Sequence, residues 1–155
     1  MVALIIGVLL VVFDQLVKYW VVTELRPVGS IKLIENLFYL TYVENRGAAF
    51  GFMEGAKWFL IILTLAVITV AVIYYIKIKN QRDKMWLKAS IVMICSGGVG
   101  NLIDRIFRGF VVDLFDVIIF GYDFPVFNVA DILIVLGTAL LMGGIIIFED
   151  KNGNN

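Results

Sequence analysis

Asp113 and Asp131 flank an irregular, aromatic-rich stretch, RGFVVDLFDVIIFGYDFPVFNVAD, over residues 108–131. Two carboxylates at hydrogen-bond range cannot both ionise comfortably, so such a pair shares one proton and one pKa rises. The charged member then takes a proton from water while the protonated member polarises a carbonyl, which is the chemistry of hydrolysis. Such a pair titrates as a unit, and a partly dry site strengthens its interactions. The chain contains no histidine, which excludes a histidine triad and every histidine-ligated metal or haem. Metal: none is implied, and no organic cofactor either. Asp104, Asp116 and Asp123 are rival carboxylates, so spacing alone leaves the choice of pair open.

The elements that must position these acids are membrane spans. Hydrophobic residues make up 61% of the 155, and the mean hydropathy is +0.96. Soluble domains are roughly 45–50% apolar, so lipid is the natural solvent. Formal net charge is zero, which leaves no global basic field for nucleic acid. Four apolar stretches, about residues 2–22, 57–76, 86–106 and 129–148, each approach the ~20 residues that cross a ~30 Å hydrocarbon core. The expectation is one membrane domain over 1–155, all-α in its spans. Asp14, Gln15 and Lys18 interrupt the first stretch and no basic segment precedes it, so it reads as a span rather than a cleaved leader. Cys95, the single cysteine, reads as a small core residue. The sequence implies no oligomer.

Orientation follows from loop Lys and Arg. The short link 77–88 carries Lys77, Lys79, Arg82, Lys84 and Lys88, and the connections 23–56 and 107–128 carry only Arg26, Lys32, Arg46 and Arg108. The basic link is therefore expected in the cytoplasm, with both termini, and the two longer connections outside. Residues 31–43 read as two short strands around Glu35-Asn36. Residues 111–120 read as a strand entering a turn at Gly121-Tyr122-Asp123. A small extracytoplasmic β-sheet resting on the bilayer surface is expected.

Polar residues converge on the outer end of the spans. Asp14 lies roughly 18 Å along the first helix at about 1.5 Å per residue, with Lys18 one turn further out. They are either a structural ion pair with Lys18 snorkelling to the surface or part of a site. Gly97, Asn101, Asp104, Arg105 and Arg108 share a stripe on the third helix. Gly97, Gly98 and Gly100 allow close helix approach. Asn128 reads as the N-cap of the fourth helix and Asp131 as its N3 residue, where a carboxylate is favoured. Three readings fit: a hydrolase at one face, a proton or ion transporter relaying through Asp14, Lys18 and Asp104, or a structural protein whose carboxylates are caps and ion pairs. The apolar cytoplasmic halves argue against a through-path.

At these residues the chain resembles the lipoprotein signal peptidase (signal peptidase II) family. The matching segments are Asp14-Gln15-x-x-Lys18, Glu44-Asn45-Arg46-Gly47-Ala48-Ala49-Phe50-Gly51, Gly100-Asn101-Leu102-Ile103-Asp104-Arg105, Val111-Val112-Asp113 and Phe127-Asn128-Val129-Ala130-Asp131. The resemblance implies a bacterial intramembrane aspartic protease of the cytoplasmic membrane, with its active site near the outer face. Its substrate would be a diacylglyceryl-modified prolipoprotein, cut just before the lipidated cysteine. Asp113 and Asp131 would be the catalytic pair. Asp14, Lys18, Asn45, Gly47, Asn101, Arg105 and Asn128 would bind substrate or support the pair. Leu114 and Ile132 depart from the family, which often has Phe and a small residue there, so pocket shape is what differs. The outer loop 23–56, with its ENRGAAFG segment and Gly47 and Gly51, is expected to act as a lid.

Overall fold

A computed structural model of the chain describes residues 1–47, 56–81 and 84–149, with the backbone alone at 148 and 149. Residues 48–55, which hold half of the expected lid segment including Gly51, lie outside the described residues, as do Arg82 and the polar tail from 150. The elements run α1 (Val2–Trp20), a π-helical turn (Val21–Leu25), β1 (Ser30–Ile34), β2 (Phe38–Asn45), α2 (Lys57–Ile78), α3 (Met85–Phe107), β3 (Val111–Ile119), β4 (Tyr122–Asp123) and α4 (Val129–Glu149). Four helical segments are long and apolar enough to cross a membrane: Val2–Leu25, Lys57–Ile78, Met85–Phe107 and Val129–Ile147. The architecture is an all-α membrane bundle with a small four-stranded antiparallel sheet.

The helices are inside out by the standards of a soluble bundle. In α1 the only buried residues are Asp14 and Lys18, while Leu4, Ile5, Leu9, Phe13 and Leu16 are exposed. That arrangement is stable only where apolar faces meet lipid and polar groups find partners inside. The central element is α3, which packs against α1, α2 and α4. Small residues make its close approaches possible. A Cβ at Gly97 would collide with the Ala130 carbonyl oxygen and come within 2.8 Å of Ile134, and one at Gly100 would lie 2.5 Å from an Asp14 oxygen.

The sheet has strand order β1-β2-β3-β4. Successive positive φ angles at Phe120 (51°) and Gly121 (78°) make the tight β3–β4 turn, a geometry that matches strand twist. Side chains alternate across β3. Val112 and Leu114 pack on Val21 and Leu25 of the π-helical turn, which seats the sheet on the end of α1. The intervening Asp113 faces the other way, toward α4, and is only 1% exposed.

Overpacking at a close helix crossing costs about 1–3 kcal/mol. Gly97→Ala is expected to destabilise the bundle by that order in thermal unfolding in detergent. Gly143→Ala, where an added Cβ meets nothing within 4 Å, should be neutral or mildly stabilising.

Candidate active site

Backbone pairing brings the two aspartates together. Phe127 forms an isolated antiparallel bridge with Phe115: its carbonyl accepts from the Leu114 and Phe115 N–H groups at 3.0 and 2.8 Å, and its own N–H donates to Phe115 at 3.1 Å. The chain leaves β3, turns through β4 and returns beside its own start. Asn128, the next residue, therefore stands next to Asp113. Its Nδ2 donates to Asp113 Oδ1 at 2.6 Å. Its Oδ1 accepts from the Asp131 N–H at 3.0 Å, and its N–H donates to Asp131 Oδ2 at 3.1 Å. This is a reciprocal capping box at the start of α4, and one asparagine thereby holds both carboxylates.

Two further asparagines complete the clamp. Asn45 pairs with Val111 across the β2–β3 ladder, so Asp113 is its diagonal neighbour on the same face. Asn45 Nδ2 donates to Asp113 Oδ2 at 2.9 Å, while its Oδ1 accepts from the Gly47 N–H at 3.0 Å. Asn101 Nδ2 donates to Asp131 Oδ1 at 2.7 Å, and its Oδ1 accepts from Lys18 Nζ at 2.9 Å. Each amide is locked by a donor at its oxygen end, so each must present its NH₂ to a carboxylate.

Behind the clamp sits a buried ionic knot. Lys18 Nζ lies 3.0 Å from Asp14 Oδ2 and 3.0 Å from Asp104 Oδ2, with all three side chains fully buried. The Asp14–Lys18 ion pair forms, but the reading in which Lys18 snorkels to the surface is corrected: two carboxylates and an amide inside the bundle outcompete water. Asp14 Oδ1 accepts from the Ala130 N–H at 2.9 Å, and Asp104 Oδ2 accepts from the Val112 N–H at 3.1 Å. Arg108 pairs with Asp104 from the other side. The three relay residues of the transporter reading do meet, but as a closed knot bonded to backbone. Among the described residues no buried side-chain nitrogen or oxygen lacks a partner.

The remaining candidates fall around this core. Arg105 Nη2 donates to the Gly47 carbonyl at 3.2 Å, tying the end of β2 to α3. Asp116 accepts from the Thr41 hydroxyl at 2.7 Å, and Asp123 lies on the exposed β4; neither touches the pair. Gln15, which bonds Asp14 and the Gly100 carbonyl, was not singled out as a site residue from the sequence, and Asp104 was weighed there as a rival acid or a relay residue, not as the second counter-ion of Lys18. The missing signal was charge balance: a lysine buried in a span needs more than one acid. Among the described residues no group of three or more acidic or cysteine side chains is arranged to hold a metal. A cavity of about 490 Å³ opens beside the pair. Asn101, Arg105 and Asp131 line its polar end, and Phe124, Ile134 and Leu136 its apolar side.

Burial pushes the Asp113 carboxyl up to about 7, helped by the negative charge of Asp131 and opposed by the Asn45 and Asn128 hydrogen bonds and by Lys18. Asp113 is then protonated in the folded chain over a range where the unfolded chain has released the proton.

The site is thus two aspartates bridged by Asn128 and held by neutral amides at one end of a four-helix membrane bundle. A family model, Signal peptidase (SPase) II, matches residues 6–147. A lipoprotein signal peptidase of Clostridioides difficile (strain 630) is 44% identical over 153 residues, covering 98% of this chain and 99% of that one. One from Streptococcus thermophilus (strain CNRZ 1066) is 42% identical over 146 residues, covering 94% and 92%. A solved structure described as a bacterial membrane enzyme superposes with a TM-score of 0.84 at 34% identity, covering 99% of this chain and 92% of that one. The chain belongs to the signal peptidase II family.

Linkage gives a signed prediction. The bound proton stabilises the fold fully below the unfolded value of 3.8, and that contribution is lost as pH rises through about 7. Measured by urea or thermal unfolding, wild-type stability should fall across this window relative to Asp113→Asn, which has no such proton to lose. Parallel curves would refute the raised value.

Proposed function

We propose that this protein is an aspartic endopeptidase that removes signal peptides from diacylglyceryl-modified prolipoproteins, cutting N-terminal to the lipidated cysteine. The observation that carries the reading is Asn128 bonded to both Asp113 and Asp131 beside a largely apolar cavity. The name borne by the relatives, lipoprotein signal peptidase, supports the substrate class. Asp113 and Asp131 are the catalytic pair. One ionised carboxylate takes a proton from water, and the protonated partner donates to the scissile carbonyl as negative charge develops there. Collapse of the tetrahedral intermediate releases the signal peptide carboxylate and the amine of the lipidated cysteine. Asn45, Asn101 and Asn128 orient the pair, and Arg105 and Gly47 border the substrate path.

The same reading sets the protein in the bacterial cytoplasmic membrane with both termini in the cytoplasm and the pair near the outer face. The substrate's acyl chains then stay in the bilayer while water reaches the scissile bond. In the outer loop, the described residues 23–47 close over the bound peptide as a lid. Cross-linking this loop to the outer end of a helix should slow turnover.

With purified protein and a diacylglyceryl-modified prolipoprotein, a gel-shift assay should show cleavage by wild type. Asp113→Asn and Asp131→Asn should each lower the rate by at least about 10²-fold at unchanged folding, since Asn still caps a helix. Retained cleavage in either variant would reject the pair. Topology has its own check in a Cys95→Ser background. A membrane-impermeant thiol reagent should label Phe120→Cys on intact cells with any outer wall removed, and Lys79→Cys only after the membrane is opened; the reverse pattern would invert the orientation.

A further inference from the structure

Asp113 and Asp131 are chemically alike but differently held. Both oxygens of Asp113 accept from neutral side-chain amides, those of Asn45 and Asn128. Asp131 sits in the first turn of α4, where the helix dipole favours a negative charge. It accepts the Asn128 backbone N–H and, at 2.7 Å, the Asn101 amide.

That amide is not free to turn. Its oxygen accepts from Lys18 Nζ at 2.9 Å, and an ammonium only donates. The other two ammonium donors are taken by Asp14 and Asp104, so the third is committed to Asn101. Hydrogen bonds in such a chain polarise one another in the same sense, so the Lys18 bond strengthens Asn101 as a donor to Asp131. The charged groups facing the pair are Asp14 and Lys18 from α1 and Asp104 and Arg105 from α3, with Arg108 behind Asp104. The two aspartates come from β3 and α4 and are bridged by Asn128.

We infer that Lys18 is a positioning residue which, through Asn101, holds Asp131 as the ionised member of the pair and leaves the proton on Asp113. Asp131 is then the base toward water and Asp113 the acid toward the carbonyl. The inference rests on the catalytic reading above. Protons balance over the cycle. Water gives one to Asp131 as its oxygen bonds the carbonyl carbon, and Asp113 gives its own to the carbonyl oxygen. As the C–N bond breaks, Asp131 passes its proton to the leaving nitrogen and Asp113 recovers one from the intermediate's hydroxyl.

The test is the pH dependence of kcat/KM on a lipid-modified prolipoprotein for wild type, Lys18→Met and Asn101→Leu. A carboxylate that loses a hydrogen bond to its charged form, or the polarisation behind that bond, ionises less readily. The acidic limb, where the ionised member takes up a proton, should therefore move up by about one pH unit in both variants, a tenfold change in proton affinity. Asn101→Leu leaves the Lys18 ion pairs intact, and a limb that stays in place there overturns the inference even if Lys18→Met does not fold. A merely structural role lowers kcat and leaves the limb in place, which would overturn the inference, as would a limb moved by Lys18→Met alone. Infrared difference spectroscopy at about pH 6, below the value of about 7 for Asp113, needs no turnover. The protonated-carboxyl band should vanish in Asp113→Asn and persist in Asp131→Asn, and the reverse would overturn the assignment. Failure of the catalytic reading looks different: either Asn variant would then cleave at the wild-type rate.

Discussion

The structure depends on one buried ammonium. Lys18 is fully buried in the first span, between Asp14 and Asp104. A lone charge there would cost several kcal/mol, and removing one partner of a buried ion pair typically costs about 3–5 kcal/mol. The knot is therefore tolerable only when complete, and completion fixes four elements at once. Asp14 belongs to α1 and bonds the first turn of α4; Asp104 belongs to α3 and bonds the start of β3. In lipid, apolar packing alone gives helices little reason to choose one crossing over another. The ionic knot supplies that choice, and Gly100 supplies the room for it, since a side chain there would meet Asp14.

Asparagine suits the layer between this knot and the acid pair. Its amide is neutral, so it brings no counter-charge that would hold both aspartates ionised, and it has a donor and an acceptor end. Lys18, the Gly47 N–H and the Asp131 N–H each occupy an oxygen end, which aims the donor ends at carboxylates. A lysine or arginine in direct contact would favour two carboxylates with no proton to share. An apolar residue would leave buried oxygens unsatisfied, at about 1–3 kcal/mol or more for a charged group. The clamp orients the pair without dictating that both be charged.

Much of this was legible before any coordinates. The four spans are set by apolar runs, and their observed ends fall within about three residues of the expected ones, the usual uncertainty of helix ends. The β1–β2 hairpin around Glu35-Asn36 follows from strand-like flanks and a residue tolerant of positive φ, observed at 57° for Asn36. Asn128 as an N-cap with Asp131 three residues on was readable from their spacing, although the sequence posed capping and catalysis as rivals and the same asparagine both caps α4 and holds Asp113. Across elements the sequence was mute. Nothing in it pairs Phe115 with Phe127, because a ladder register depends on where a strand stops. Nothing in it brings Asp104 to Lys18, because two helices must first choose their facing sides. The snorkelling alternative for Lys18 failed for the same reason: it weighed Lys18 against water and lacked the second acid.

Location follows from what the proposed water-activating pair would require. Deep in hydrocarbon the pair would be dry and the nucleophile absent. In open water the proton would not be shared, since solvent would screen the repulsion between the carboxylates and ionise both. The end of the bundle meets both demands. Asp113 lies under the sheet at 1% exposure, where loss of solvent lifts its affinity for a proton, and Asp131 lines an open cavity. The sheet thus withholds water from one acid while the cavity admits it to the other. That asymmetry arises because β3 turns one side chain toward Val21 and Leu25 and the next toward α4, so the strand's two-residue period decides which acid stays dry.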